Sequence, residues 1–250
     1  MTLQKHIVII GATSGMAEHC ARLWVQAEPV RLTLVGRNRE KTEAVAADLR
    51  VRNPACEIQS MTADFLDPAS IRATVDAIVQ QGSADIVLIA QGTLPDQAEC
   101  QTDLTLCRDT LEINGISPVL FAEAFVGPME KANHGTLAII GSVAGDRGRK
   151  SNYVYGSAKG LVSRYAEGLQ HRLARSKVKV VLIKPGPTDT PMTATFKAKG
   201  MKMTPVEQVA KGIVKAVANP VRVAYIPRKW RLIMSIIRHL PAVIFNRLNI

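Results

Sequence analysis

The stretch KHIVIIGATSGMAEHCARLWVQA, residues 5–27, decides how this chain folds. Its opening residues form an apolar run that is rich in β-branched side chains and too short for a buried helix. They read as a strand covered on both faces. Gly11 and Gly15 then bracket a sharp turn, and from about Ser14 to Ala27 the apolar residues recur at helical spacing. The alternation continues outward from there. RLTLVG (31–36), EIQSMTA (57–63), ADIVLIA (84–90), GTLAIIG (135–141), VKVVLIK (178–184) and RVAYI (222–226) read as further strands, most of them separated by helical patterns.

Strands that are apolar throughout and alternate with helices predict a parallel sheet covered by helices on both faces. Right-handed crossovers make this a single-domain α/β fold of Rossmann type, doubly wound, with a mostly seven-stranded parallel sheet. A chain of 250 residues with 47% hydrophobic content can build one such domain. The expected extent is 1–227, with 187–204, a mixture of Thr, Pro, Lys and Gly, as a mobile loop over the substrate. Residues 228–250 leave the rhythm and read as a basic amphipathic carboxyl segment.

Cys20, Cys56, Cys100 and Cys107 show no CxxC and no companion His cluster. That argues against a disulfide framework and a metal site, and suits a reducing cytosol. There is no signal-peptide architecture and no run of about 18 apolar residues, so the expected location is cytoplasmic. Charge is unevenly placed. Residues 1–167 hold 16 Lys+Arg against 19 Asp+Glu, whereas 168–250 hold 16 against only Asp189 and Glu207. Such asymmetry points to a surface that meets something anionic. The basic third has no helix-turn-helix and no aromatic stacking platform, which argues against nucleic acid.

The glycine turn has a chemical reading. A turn between a first strand and a first helix lets backbone N–H groups approach a pyrophosphate, which the helix N-terminus also attracts. Gly11, Thr13, Ser14, Gly15 and Met16 are the candidates, in the spacing G-x-x-x-G-x-A rather than G-x-G-x-x-G. The second strand ends in Gly36-Arg37, where a carboxylate would select NAD. A guanidinium there suits a 2′-phosphate, so NADP(H) is favoured over NAD(H). Asp64, with Phe65 beside it, follows the third strand where an adenine amino group would lie, and Gly92 follows the fourth.

Tyr155 and Lys159 are four residues apart and share one face of a helix, while Tyr153 points elsewhere. A lysine ammonium nearby favours the tyrosinate, and a tyrosine tuned in this way can protonate a carbonyl oxygen. Ser142, 13 residues upstream, offers a hydroxyl to the same oxygen, and Asn114 is a polar residue in an apolar helical pattern.

With these residues in this order the chain resembles the short-chain dehydrogenase/reductase family over nearly its full length. Gly11-Ala-Thr-Ser-Gly15, Asp64, Gly92, Asn114, Ser142, Tyr155, Lys159 and KPGPTDTPM (184–192) carry the likeness. The resemblance implies that Tyr155 is the general acid/base and that Lys159 holds the nicotinamide ribose and lowers the tyrosine pKa. Ser142 would orient the carbonyl, and Asn114 would hold a water in a relay to Lys159. Pro185 and Gly186 would turn the chain under the nicotinamide, with Thr188 and Thr190 on its carboxamide and the phosphates. A homo-oligomer is also implied. Two departures stand out. Ile89-Ala90-Gln91-Gly92 replaces the family's N-N-A-G, and Gly141-Ser142 replaces its Ser-Ser pair.

The carboxyl end adds two features. Trp230, Ile233, Ile237 and Leu240 recur at helical spacing opposite Arg228, Arg231, Ser235 and Arg238, the pattern of an interfacial anchor on an anionic membrane. The competing reading is a closing helix packed on the core or at an oligomer interface. The block GDRGRKSN (145–152) places Arg147 and Arg149 near the mouth of the site, with Tyr153 shaping the pocket, where they could hold a substrate phosphate. These features resemble one bacterial subgroup, the decaprenylphosphoryl-2-ketoribose reductases. That resemblance implies a lipid-linked keto-sugar substrate, supplied by a flavin-dependent oxidase partner. Two alternatives stay open. One is a 3-ketoacyl reductase docking an acidic carrier protein, which acetoacetyl thioester activity would reveal. The other is a non-catalytic nucleotide sensor, which would have no need of the Asn-Ser-Tyr-Lys set.

Overall fold

The computed structural model describes residues 4–198 and 200–248. Each predicted strand forms. β1 (Lys5–Ile10), β2 (Val30–Gly36), β3 (Glu57–Thr62), β4 (Ile86–Ile89), β5 (Thr136–Ile140), β6 (Lys179–Pro185) and β9 (Val223–Ile226) make one seven-stranded sheet. Its order is β3-β2-β1-β4-β5-β6-β9, and every pairing is parallel. The order reverses between β1 and β4, where Ile10 pairs with Ile89, so a crevice opens at the carboxyl ends of these two strands.

Side chains alternate between the two faces of each strand. On one face Ile7, Ile9, Leu32 and Leu34 pack with Ala17 and Trp24 of α1 (Gly15–Ala27) and Ile213 of α9 (Val206–Ala218). On the other, Val8, Ile10 and Val35 pack with Ile71 of α3 (Pro68–Gln80) and with Phe121 and Phe125 of α6 (Ser117–Ala132). Val162 and Ala166 of α7 (Tyr153–Arg172) join this second face. α2 (Arg39–Arg52) completes the first side beyond β2, and two short helices, α4 (Gln97–Thr102) and α5 (Leu104–Leu111), lead towards α6.

Two segments need comment beside the sequence reading. The span 187–204, expected as a mobile loop, carries regular structure. β7 (Thr188–Asp189) pairs with β8 (Thr204–Pro205), and a 3₁₀ turn at Pro191–Thr193 leads into α8 (Ala194–Ala198). Thr193 secures the turn by accepting from the Thr190 N–H at 3.2 Å and donating to the Thr188 carbonyl. The carboxyl segment forms α10 (Lys229–His239) and α11 (Ala242–Phe245) and packs on the domain, one of the two expected placements, with Met234 fully buried. Among the described residues no helix is long and apolar enough to cross a membrane.

Candidate active site

Gly11 ends β1 at φ +80°, a conformation that favours glycine, and its N–H donates to Val35 O at 2.9 Å. A Cβ on Gly11 would come within 2.5 Å of the Gln91 main-chain nitrogen, so the turn lies directly against the end of β4. The helix that follows is open at its start. Ser14 takes the N-cap position without bonding any N–H through its side chain, whereas Asn38, Asp67, Asp96 and Asp103 cap later helices. The first-turn donors of α1 are thus available to an anion, and Ser14 and Met16 line the cavity beside them. This fits the pyrophosphate of a dinucleotide.

Arg37 is exposed directly after β2, with no acidic neighbour in Gly36-Arg37-Asn38-Arg39. Asp64 is also exposed; its Oδ1 accepts the Leu66 N–H at 2.9 Å. Phe65, the neighbouring candidate, is placed differently. Its side chain is buried edge-on against Phe121 with ring centres 5.0 Å apart, so its ring belongs to the core.

The catalytic candidates converge on a cavity of about 430 Å³ lined by Asn114, Ser142, Tyr155 and Lys159. Ser142 caps the 3₁₀ turn Val143–Asp146, its oxygen accepting from Ala144 N–H at 3.1 Å. It lines the same cavity as Tyr155. Lys159 is buried and donates to Ile140 O at 3.1 Å, with its ammonium 5.8 Å from the centre of the Tyr155 ring. Asn114 is fully buried on a π-helical turn, Glu112–Ile116, inserted between α5 and α6. Such turns occur frequently at functional sites. Its amide donates to Thr110 O at 2.9 Å and accepts from Thr93 N–H at 3.0 Å. Gly92 lies between the two polar groups, since a Cβ there would be 2.9 Å from Asn114 Oδ1 and 3.7 Å from Lys159 Nζ.

Electrostatics at the pair depart from expectation. Sequence spacing predicts that Lys159 draws the tyrosine down. In the folded chain burial dominates and holds the Tyr155 hydroxyl above its ordinary value, with the Ser142 hydroxyl opposing. Burial also lowers Lys159 to about 8.

The pocket wall is where the structure adds most. Arg147 does not line the cavity. Its Nη1 donates to the carbonyls of Ile237 and, at 2.7 Å, Leu240, and its guanidinium sits 3.7 Å from the centre of the Phe245 ring. It clasps the carboxyl end of α10 and the short α11, where helix carbonyls attract a cation. Tyr153 is 42% exposed and lies outside the cavity. Arg149 does line it, and burial holds its guanidinium somewhat below the ordinary value while Asp146 opposes. Asp146 is already engaged, by Lys184 through Oδ1 and by Tyr225 through Oδ2 at 2.8 Å. The Nε of Arg149 is buried with no hydrogen-bond partner among the described residues.

Sequence reading missed several lining residues. Gln91 donates to Ser117 Oγ at 3.2 Å, while its own carbonyl oxygen is buried with no hydrogen-bond partner among the described residues. Asn152 Oδ1 is in the same state. Met192, Phe196, Met201, Met203 and Trp230 supply much of the apolar lining. The indole of Trp230 lies on Gly186, where an added Cβ would come within 1.9 Å of Nε1. Trp230 is therefore a pocket residue. No local spacing links residue 230 to residue 186; only the signature at 184–192 marks one half of the contact.

A family model described as short chain dehydrogenase matches residues 5–200. The chain is 30% identical over 243 residues to an uncharacterized oxidoreductase of Mycobacterium tuberculosis, covering 97% of this chain and 96% of that one. It is 28% identical over 247 residues to an uncharacterized oxidoreductase of Streptomyces coelicolor, covering 98% and 96%. Among solved structures it superposes on a short-chain type dehydrogenase/reductase from Mycobacterium ulcerans with a TM-score of 0.79, at 20% identity, covering 90% of this chain and 89% of that one. A short-chain dehydrogenase from Sphingobium yanoikuyae in complex with NADPH gives 0.77, at 20% identity and 95% and 97% coverage. At these identities the structural likeness concerns the fold.

Proposed function

This chain belongs to the short-chain dehydrogenase family, and from that premise we propose that it is an NADP(H)-preferring reductase of a keto-sugar carried on a polyprenyl phosphate. It is an NAD(P)-dependent oxidoreductase, and the bound nicotinamide supplies the hydride. The uncapped start of α1 would hold its pyrophosphate, and Lys159 its ribose. Tyr155, kept protonated at neutral pH by burial, gives its proton to the carbonyl oxygen, and the Ser142 hydroxyl donates to the same oxygen. Excluding water from the apolar lining strengthens both bonds.

The observation that carries the substrate reading is the unpartnered Arg149 Nε in a largely apolar pocket. A buried donor on a cation calls for an anion, while the unpartnered oxygens of Gln91 and Asn152 suit sugar hydroxyls. The apolar lining suits a prenyl chain. The test is NADPH oxidation by purified protein across prenyl-phosphate keto-sugars, simple ketones and acetoacetyl thioesters. Preference for the thioesters would overturn the reading in favour of a carrier-protein ketoreductase. Arg149→Gln is expected to raise KM for the phosphorylated substrate by about tenfold or more, the size of one charge-assisted hydrogen bond, and to leave KM for a neutral ketone unchanged. Equal losses on both substrates would assign Arg149 a structural role.

The NADP preference rests on Arg37, exposed at the end of β2 with no carboxylate beside it. Arg37→Asp is expected to shift the ratio of kcat/KM for NADPH over NADH by about a hundredfold towards NADH. An unchanged ratio would remove Arg37 from the cofactor site.

A further inference from the structure

The tail helix has two faces, and the sequence pattern assigned the anchor to the wrong one. Trp230, Ile233, Met234, Ile237 and Leu240 turn inward, Met234 completely. Leu232 and Ile236, one turn apart on the opposite side, are 69% and 57% exposed. Beyond Pro241, Val243 and Ile244 continue the apolar surface at 69% and 50% exposure. Arg228, Lys229, Arg231 and His239 are exposed around Leu232 and Ile236, and no acidic residue follows Glu207 anywhere in the chain.

We propose that this outward face of α10, extended by Val243 and Ile244, docks the protein on an anionic lipid bilayer. Apolar side chains ringed by cations suit the boundary between headgroups and acyl chains, where leucine and isoleucine enter and lysine and arginine stay with phosphate. Each nearby cation adds attraction to anionic lipid. A second copy of the chain is the less suitable occupant. A two-fold interface places the same patch against itself, and here that would oppose cation to cation with no acidic side chain on α10 or α11 to compensate. The surface is also preformed. Arg147 holds the Ile237 and Leu240 carbonyls and the Phe245 ring, so the helix is fixed to the domain before any membrane is met. Trp230 in the pocket wall is two residues from Leu232, so docking holds the substrate cavity close to the bilayer.

The experiment is co-sedimentation of the full chain with vesicles of phosphatidylcholine, alone or mixed with phosphatidylglycerol. Binding to the mixed vesicles is expected, little binding to the neutral ones, and a decline with added salt as screening shortens. Leu232→Glu combined with Ile236→Glu should lower the partition coefficient by about tenfold or more. The same variant should keep the melting temperature and the turnover of a soluble ketone, because neither residue lines the cavity. A wild-type chain left in the supernatant, or a double variant that binds as well as wild type, overturns the proposal. Loss of an oligomer by the variant in sedimentation equilibrium, with vesicles ignored, assigns the face to a second copy instead. No substrate enters the assay, so its outcome is independent of the keto-sugar reading.

Discussion

Tyr155→Phe is expected to lower kcat by about a thousandfold while NADPH affinity and melting temperature stay near wild type. A positioned general acid contributes about 10² to 10⁴ to rate, and the substitution removes only the hydroxyl. The ring keeps its volume and its place one turn before Lys159. Burial holds the Tyr155 hydroxyl protonated, so the resting enzyme has its proton ready for reduction, and phenylalanine has none to give. Ser142 continues to cap its turn through Ala144 N–H, so the local backbone has no reason to move. Steady-state kinetics with NADPH titration by fluorescence separates the two effects. Turnover within tenfold of wild type would remove Tyr155 from the chemistry. Weakened NADPH binding would show that the hydroxyl builds the site rather than acting in it.

Lys159→Met should make the enzyme without cofactor more stable at pH 7, by about 2 kcal/mol, while abolishing most activity. Burial lowers Lys159 to about 8 in the folded state, against an ordinary value of 10.5. Between those pH values the unfolded chain binds the proton and the native chain does not, so stability rises with pH across the window. Below about 8 the whole penalty is present, roughly 3 kcal/mol from the shift, and above 10.5 it is gone. Methionine escapes that penalty but leaves Ile140 O without its donor, which costs about 1 kcal/mol. Denaturant unfolding at pH 7 and pH 10 measures the difference, and the advantage of the variant should shrink or reverse at the higher pH. A variant less stable than wild type at both pH values would show that Lys159 is not a destabilised buried charge. The lysine is thus held at a cost to stability, as expected of a residue placed for function rather than packing.

The sheet was legible because buried parallel strands have to be apolar and short, and the crossovers between them have one hand. The Tyr155–Lys159 pair was equally legible, since helical spacing places both side chains on one face whatever surrounds them. The environment of that pair was not. Spacing brings a cation near the tyrosine, but the balance between its charge and desolvation depends on side chains contributed by β5 and by the turn at Ser142. Arg147 and Arg149 illustrate the same limit two residues apart. Both sit in one basic block, yet one is consumed by the carbonyls of Ile237 and Leu240 and the other keeps an unpartnered donor in the pocket.

Local pattern therefore determined the elements, their order, the glycine turn after β1 and the shared helix face of Tyr155 and Lys159, all of which rest on periodicity or on residue types within a few positions. Tertiary structure decided which cation lines the cavity, which face of the tail helix is exposed and which aromatic joins the cavity wall. Those outcomes depend on contacts such as Trp230 with Gly186 and Arg147 with Leu240, between segments distant in the chain. Helical period gives α10 an apolar stripe but does not say which of its apolar side chains the domain will cover; only the shape of the neighbouring turn and strand does.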